Sequence, residues 1–472
     1  MPQKQETEEI VDVVVLGGGP GGYVAAIRGA QLGARVLLIE KEQLGGTCLN
    51  RGCIPTKCLL ADVKLYDQIK RSKVLTADKL SIDLRKMMER KSQVVTGLVQ
   101  GVNSLVRSNG IRLIKGTGAI LDRNTVEVLT AEGKREPFKT RNIIIATGST
   151  SASLPSVPID GEFVITTDEA LNIEAVPEDI AIIGGGVIGV EFATIFSKLG
   201  SRVTIIEILP QIIATQDDEI IKALTNLLKG NGINIFTESE VTAVSIENKK
   251  AKVVIQDKQG NSQAMETAKV LMAVGRTPYS AGLNLERVGI NLAGQFIEVN
   301  SRMETNVPGV YAIGDVVGKL MLAHKASAEG TVAAENIMGQ SSYVDYGKVP
   351  NCIYTIPEIA SVGLTEQEAR EKGYKVTIGR FPYQFSGKAL TMGMPEGFVK
   401  IIAEKELGEI LGVHIIGENA TDLIGELLLA MNLEASIEEL GKIIKGHPTL
   451  SEIVKEAALD WEKKAIHKPK AQ

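Results

Sequence analysis

An α/β fold with two copies of one nucleotide-binding unit is what this sequence predicts, and three observations carry the prediction. A β-branched run, VDVVVL at 11–16, leads directly into Gly17-x-Gly19-x-x-Gly22 and a helical stretch, then into a second strand, RVLLIE, that ends in Glu40. The same order returns in AIIGGGVIGVEFA, with Gly184, Gly186 and Gly189, and in RVTIIE, ending in Glu207. First glycine and terminal acid are 23 residues apart in both copies (17 to 40, 184 to 207). Such glycines allow a tight turn and bring a pyrophosphate close to backbone N–H groups at a helix start, while the acid accepts from a ribose. A lone Gly-x-Gly-x-x-Gly is a weak signal. Strand, glycines, helix, second strand and acid together make two Rossmann-like dinucleotide-binding domains. A late strand also recurs: RNIIIATGS, with Thr147 and Gly148, is echoed by VLMAVGRTP (270–278).

Between the first unit and its late strand lies GGTCLNRGCIPTKC (45–58), which holds three of the four cysteines. A disulfide needs Cα atoms roughly 4.4–6.8 Å apart. An extended chain would hold Cys48 and Cys53 about 16 Å apart at ~3.3 Å per residue, so the segment is expected to be coiled. Gly45, Gly46 and Gly52 permit tight turns, and Pro55 suits the first turn of a helix. A cysteine at a helix N-terminus gains thiolate character from the local dipole, and Lys57 adds a positive charge. The segment reads as a pair cycling between disulfide and dithiol. An isolated cysteine pair is more often two buried thiols, and the four cysteines and four histidines are not clustered at zinc-ligand spacings. The two nucleotide units weigh against the first reading.

The rest of the chain bounds the function class. At 472 residues it has room for about three domains of ~150 residues. A net charge of −5 gives no pointer to nucleic acid. Four cysteines fit a reducing compartment, taken here as the cytoplasm. There is no apolar run of membrane-spanning length; the opening MPQKQETEEI is polar. Residues 61–109 read as helical, with their Lys and Arg on a solvated face. Residues 111–140 read as short strands with turns, and WEKKAIHKPKAQ as a frayed basic tail.

Two dinucleotides and one dithiol narrow the chemistry. Nicotinamide and a dithiol both carry two electrons, and a flavin exchanges with both, so FAD is expected at one site and NAD at the other. Glu207 favours a free ribose 2′-OH, hence NAD over NADP.

On GGTCLNRGCIPTK, the paired glycine motifs, VPGVYAIGD, LAHKASAEG, GFVKIIAE…GEILGVHIIG and HPTLSE, the chain resembles the flavin-dependent pyridine nucleotide–disulfide oxidoreductases from residue 11 to about 460, and within them the subgroup that oxidises dihydrolipoyl groups. The resemblance implies an FAD domain at 1–149 carrying the redox disulfide, an NAD domain at 150–276, a central domain at 277–346 completing the FAD site, and a C-terminal α+β dimerisation domain at 347–472. It places Asp315 on the flavin ribityl chain, Ala323 beside the flavin, and Lys57 near the ring, paired with Glu191. Gly118, Thr147, Val241 and Gly275 complete the cofactor-binding candidates, and no metal is expected.

Exchange needs a thiolate, and a histidine is the base best suited to neutral pH. Of the four, His467 lies in the tail, His414 in an apolar strand, and His324 beside the flavin segment. His447, read alone, is an ordinary loop histidine; matched to HPTLSE it becomes the base, with Glu452 as its partner, and the resemblance supplies both from the opposite subunit of a homodimer. The expected course has His447 take a proton from a substrate thiol. The thiolate attacks Cys48, Cys53 is left as thiolate, and electrons pass by way of FAD to NAD⁺. Implied partners are the lipoyl domains of 2-oxo acid dehydrogenase or glycine cleavage complexes. Rivals are another FAD/NAD(P)H-dependent disulfide or metal reductase of the family, or a non-catalytic redox-sensing protein. Glu207 disfavours the NADPH-using reductases, and the intact Cys48, Cys53, His447 and Glu452 disfavour the silent one. Cys58 stands where many relatives have a small residue and is expected to face the core; Cys352 is expected as a buried hydrophobe.

Overall fold

The structure, a computed structural model, describes residues 10–75 and 79–469. The reading of the polar opening lies outside these, apart from its last residue, Ile10.

VDVVVL and VLLIE are buried along nearly their whole length. Runs of branched apolar residues hidden on both faces suit a parallel sheet covered on both sides. Five strands of the first, six-stranded sheet run parallel, in the order Arg112–Asp122, Val36–Glu40, Val11–Leu16, Arg135–Ile145, Val310–Ala312. The far part of Arg112–Asp122, the near part of Arg135–Ile145 and Thr125–Thr130 between them form an antiparallel meander. The second unit repeats this plan. Its parallel strands run Asn234–Phe236, Arg202–Ile206, Asp179–Ile183, Lys269–Met272, Val164–Ile165, and its meander is Ser239–Glu247, Lys250–Asp257, Ser262–Thr267. The copies differ in where the outer strand comes from: Val164–Ile165 precedes its unit, whereas Val310–Ala312 arrives after the whole second unit has been made.

The C-terminal part is α+β: a five-stranded antiparallel sheet with helices Ala420–Asn432, Ile437–Lys442 and Ser451–Asp460. Helix Cys53–Arg71 joins the parts. Its Leu59, Leu60 and Val63 lie in one core with Ile182 and Phe196 of the second unit and Ile359 and Phe398 of the C-terminal sheet. Fully burying each such side chain is worth about 1.5–3 kcal/mol.

Two expectations are corrected. The charges of 61–109 are not all on a solvated face. Lys64 reaches Glu358 and Glu418, Asp67 pairs with Lys198, and Lys91 is buried with its ammonium on Leu171 O and Asn172 Oδ1. Long polar side chains here cross between packed units, which helical periodicity alone does not reveal. Nor is the tail frayed as far as it is described. His467 Nδ1 lies 2.9 Å from Glu456 Oε1, and Lys468 Nζ donates to Asp460 and to Arg380 O, both at 2.8 Å. Among the described residues, no helix is long and apolar enough to cross a membrane.

Candidate active site

Both glycine loops open onto one cavity of about 1270 Å³. In each loop the first glycine takes a positive φ, +102° at Gly17 and +106° at Gly184, with a backbone carbonyl 2.4 Å from any Cβ placed there. The third is closed by the loop itself: a Cβ at Gly22 would lie 1.9 Å from Gly17 O, and one at Gly189 2.0 Å from Gly184 O. The second glycine is different. A Cβ on Gly19 would meet nothing nearer than 3.8 Å, and one on Gly186 nothing within 4 Å. The protein does not need glycine there for its own packing. The space lies over the starts of helices Pro20–Gln31 and Val187–Leu199, where a phosphate finds free N–H groups.

The two acids sit alike. Glu40 accepts from Gly18 N at 2.6 Å and Glu42 N at 2.7 Å; Glu207 accepts from Gly185 N at 2.6 Å and Leu209 N at 2.8 Å. Each carboxylate is thus held by two backbone donors and keeps lone pairs for ribose hydroxyls. Burial pushes the Glu40 carboxyl up, opposed by the Gly18 N–H. These features fit two dinucleotides.

The cysteines lie between the loops. Helix Gly46–Arg51 carries Cys48, Gly52 breaks it, and Cys53 begins helix Cys53–Arg71. The segment is coiled, as expected from its spacing. The Cys48 thiol donates to Cys53, which lowers the Cys53 pKa against the effect of burial, with help from Lys57; the same hydrogen bond and burial drive Cys48 up. One negative charge is favoured, and it rests on Cys53. Lys57 Nζ donates to both oxygens of Glu191 at 2.9 and 2.8 Å, and Glu191 also accepts from Tyr354 N at 2.9 Å. Three parts of the chain meet at that carboxylate.

Gly118, Thr147, Val241, Gly275, Asp315 and Ala323 line the same cavity; Gly22 and Gly189 stand behind it. Ser149 and Arg276 were not singled out from the sequence. Arg276 donates to Ser149 Oγ and O, both at 2.7 Å, and Ser149 Oγ donates to Asp315 Oδ2. As a serine and an arginine in two distant turns, they carry no spacing that marks them in the sequence. Beneath Asp315, Glu329 accepts from Gly314 N at 2.7 Å and from Lys325 Nζ at 3.1 Å, with both side chains fully buried. Cys58 is buried as expected, whereas Cys352 is only partly buried: it packs against the C-terminal core and also lines the cavity.

His447 and Glu452 are brought together but not to the cysteines. Nδ1 lies 2.9 Å from Glu452 Oε1, and Thr449 N donates to Oε2 at 2.9 Å. The His447 side chain is 79% exposed and lies outside the cavity lining. Burial raises the Glu452 carboxyl, but the Thr449 N–H and the His447 ring outweigh it, so its pKa is lowered. The carboxylate orients the ring and leaves Nε2 outward.

Comparison with known proteins gives concordant matches. Residues 11–330 match the family pyridine nucleotide-disulphide oxidoreductase, and residues 349–458 match its dimerisation domain. A mitochondrial dihydrolipoyl dehydrogenase of Dictyostelium discoideum is 44% identical over 98% of this chain and 97% of its own. A dihydrolipoyl dehydrogenase of Bacillus subtilis is 44% identical over 97% of this chain and 99% of its own. The crystal structure of LpdA from Mycobacterium tuberculosis superposes with a TM-score of 0.89 at 27% identity, covering 95% of this chain and 99% of that one. The expectation of a cytoplasmic protein is corrected by these matches: the Dictyostelium relative, like the plant ones, is mitochondrial by name. Few cysteines report a reducing setting and not which compartment supplies it.

Proposed function

The chain belongs to the pyridine nucleotide-disulphide oxidoreductase family, and from that premise we propose that it oxidises protein-bound dihydrolipoyl groups to the lipoyl disulfide with NAD⁺ as acceptor. The observation that carries this reading is the single cavity that joins both phosphate loops to Cys48 and Cys53. Bound FAD supplies a two-electron relay between a dithiol and a nicotinamide. Gly17, Gly19, Glu40, Gly118, Thr147, Asp315 and Ala323 would hold it, and Gly184, Gly186, Glu207, Val241 and Gly275 would hold NAD. Glu207, fixed by two backbone donors, repels a 2′-phosphate.

The chain's own residues perform the exchange. His447 of the partner subunit takes a proton from one substrate thiol. The resulting thiolate attacks Cys48 Sγ; the Cys48–Cys53 bond breaks, and Cys53 leaves as a thiolate. The second substrate thiol then attacks the mixed disulfide, releasing Cys48. The lipoyl disulfide departs, two electrons remain on the cysteine pair, and Cys48 carries a proton shared with Cys53. Lys57 and the helix N-terminus stabilise the Cys53 charge. The reading also assigns the chain to a homodimer that meets lipoyl domains of 2-oxo acid dehydrogenase or glycine cleavage complexes.

The test is anaerobic mixing of the purified flavoprotein with dihydrolipoamide, followed by NAD⁺. Bleaching of the flavin absorbance and stoichiometric NADH are expected, with NADP⁺ a poor acceptor. Flavin that stays oxidised, or NADP⁺ matching NAD⁺ in kcat/KM, overturns the reading.

A further inference from the structure

The second unit has no redox segment, yet its chain makes the same excursion. After Glu40 the first unit returns to its phosphate loop: Gly45 N donates to Gly18 O at 2.8 Å, and Leu44 Cδ2 lies 2.5 Å from a Cβ built on Gly18. After Glu207, Ile213 N donates to Gly185 O at 2.9 Å, and Ile212 Cγ2 lies 2.6 Å from a Cβ built on Gly185. From this shared point the first chain enters the cysteine helix. The second runs through 214–217 onto the C-terminal sheet.

There it meets a row of polar side chains. Ser361 Oγ donates to Gln216 Oε1 at 2.9 Å, and Lys400 Nζ donates to both oxygens of Asp217 at 2.9 and 3.0 Å. Lys400 Nζ also lies 3.0 Å from Glu219 and 2.8 Å from Glu366, and Arg380 Nε lies 3.1 Å from Glu219. Ser361, His414, Lys400 and Arg380 are successive cross-strand partners, so four adjacent strands each give one member. Phe398 and Ile416 on the same two central strands are apolar and enter the core shared with the second unit. Lys400 and Asp217 are each 2% exposed. Charges so buried are compensated only while their partners are held in good geometry, so this row fixes a position where an apolar contact would permit sliding.

We propose that the loop 208–217, the second unit's counterpart of the redox segment, sets the position of the second nucleotide site on the rest of the molecule, with Lys400 as its positioning residue. The inference rests on the assignment of that site to NAD. The loop begins beside Glu207 and its Ile213 holds Gly185, so an anchor at Asp217 acts on the ribose and pyrophosphate ends of the cradle through ten residues of backbone.

The experiment uses the FAD-loaded enzyme as wild type, Lys400→Gln and the milder Ser361→Ala. It measures NADH affinity, hydrogen exchange of the loop, FAD content, and flavin bleaching by dihydrolipoamide. NADH affinity is expected to fall by about 5- to 150-fold in Lys400→Gln, the usual span of coupling between separated groups, and less in Ser361→Ala. Exchange should rise in 208–217 and around 184–189, while FAD content and bleaching stay at wild-type level. Unchanged NADH affinity in both variants overturns the proposal, as does a parallel loss of FAD, which marks general loosening. If Lys400→Gln fails to fold, Ser361→Ala decides alone. Wild-type flavin that dihydrolipoamide does not bleach overturns the substrate reading only, because NADH binding still decides the positioning role.

Discussion

At Cys53 a hydrogen bond from Cys48, the charge of Lys57 and a helix N-terminus favour the thiolate, while burial and Glu191 oppose it. The first group prevails and lowers the pKa to about 7. The sign follows. The thiolate is present above that value and is lost as pH falls through it; because the folded pKa lies below that of an ordinary thiol, the stability it contributes is also lost as pH falls through about 7. The largest cause is the Cys48 donor, so Cys48→Ala should move the midpoint up toward the ordinary thiol range near 8.5. Alkylation of Cys53 in the reduced protein, followed by mass spectrometry across pH, measures it; an unmoved midpoint means Lys57 and the helix suffice. At this scale the sequence was legible where function demands a rare residue type at a fixed spacing. Cys48, Cys53, the glycines and the two acids stood out. Ser149 and Arg276 did not, because a serine and an arginine in a turn carry no distinguishing spacing, and only the fold brings them to Asp315.

Among elements, the glycine loops separate two duties that sequence motifs merge. Gly189→Ala sets a methyl against Gly184 O at 2.0 Å, an overpacking expected to cost about 1–3 kcal/mol. Gly186 has φ −73° and open space around its missing Cβ, so Gly186→Ala should leave the melting temperature unchanged and weaken NADH binding. Thermal unfolding and NADH titration of the two variants give the comparison. Equal destabilisation of both would mean that Gly186 also serves the fold. Local pattern made these loops readable, since strand, turn and helix are contiguous. The outer strand Val310–Ala312 was not readable as part of the first sheet. Its partner Ile143–Ile145 lies on the far side of an entire inserted unit, and no local signal records a pairing so distant. Lys64 and Lys91 were misread for a similar reason: helical periodicity shows a polar face but not the C-terminal part and the second unit packed over it.

On the scale of the whole molecule, the groups proposed to react do not meet at one cavity within one chain. The cysteines line the cavity, while His447, oriented by Glu452, is 79% exposed on the C-terminal part. A histidine held by a carboxylate yet facing solvent has the geometry of a base with no substrate of its own. The dimerisation match at 349–458 covers this residue, which supports the proposal that a second subunit brings its cysteines to the ring. The sequence alone left the subunit of origin undecided, because distance along a chain does not report distance across an interface. Two inactive variants test the arrangement. Cys53→Ser lacks the exchange pair and His447→Gln lacks the base, whose loss is expected to reduce the rate by about 10²–10⁴. In a mixed dimer of the two, one site combines both lesions and is dead. The other pairs wild-type cysteines with a wild-type histidine and should turn over. Differently tagged variants refolded together with FAD, with the doubly tagged dimer isolated, should therefore recover up to half the wild-type NADH production per dimer, well above either parent. If the isolated mixed dimer is no more active than its parents, His447 acts within its own subunit, and the exposure of the ring has to be explained by a closure of the C-terminal part onto the cavity of the same chain.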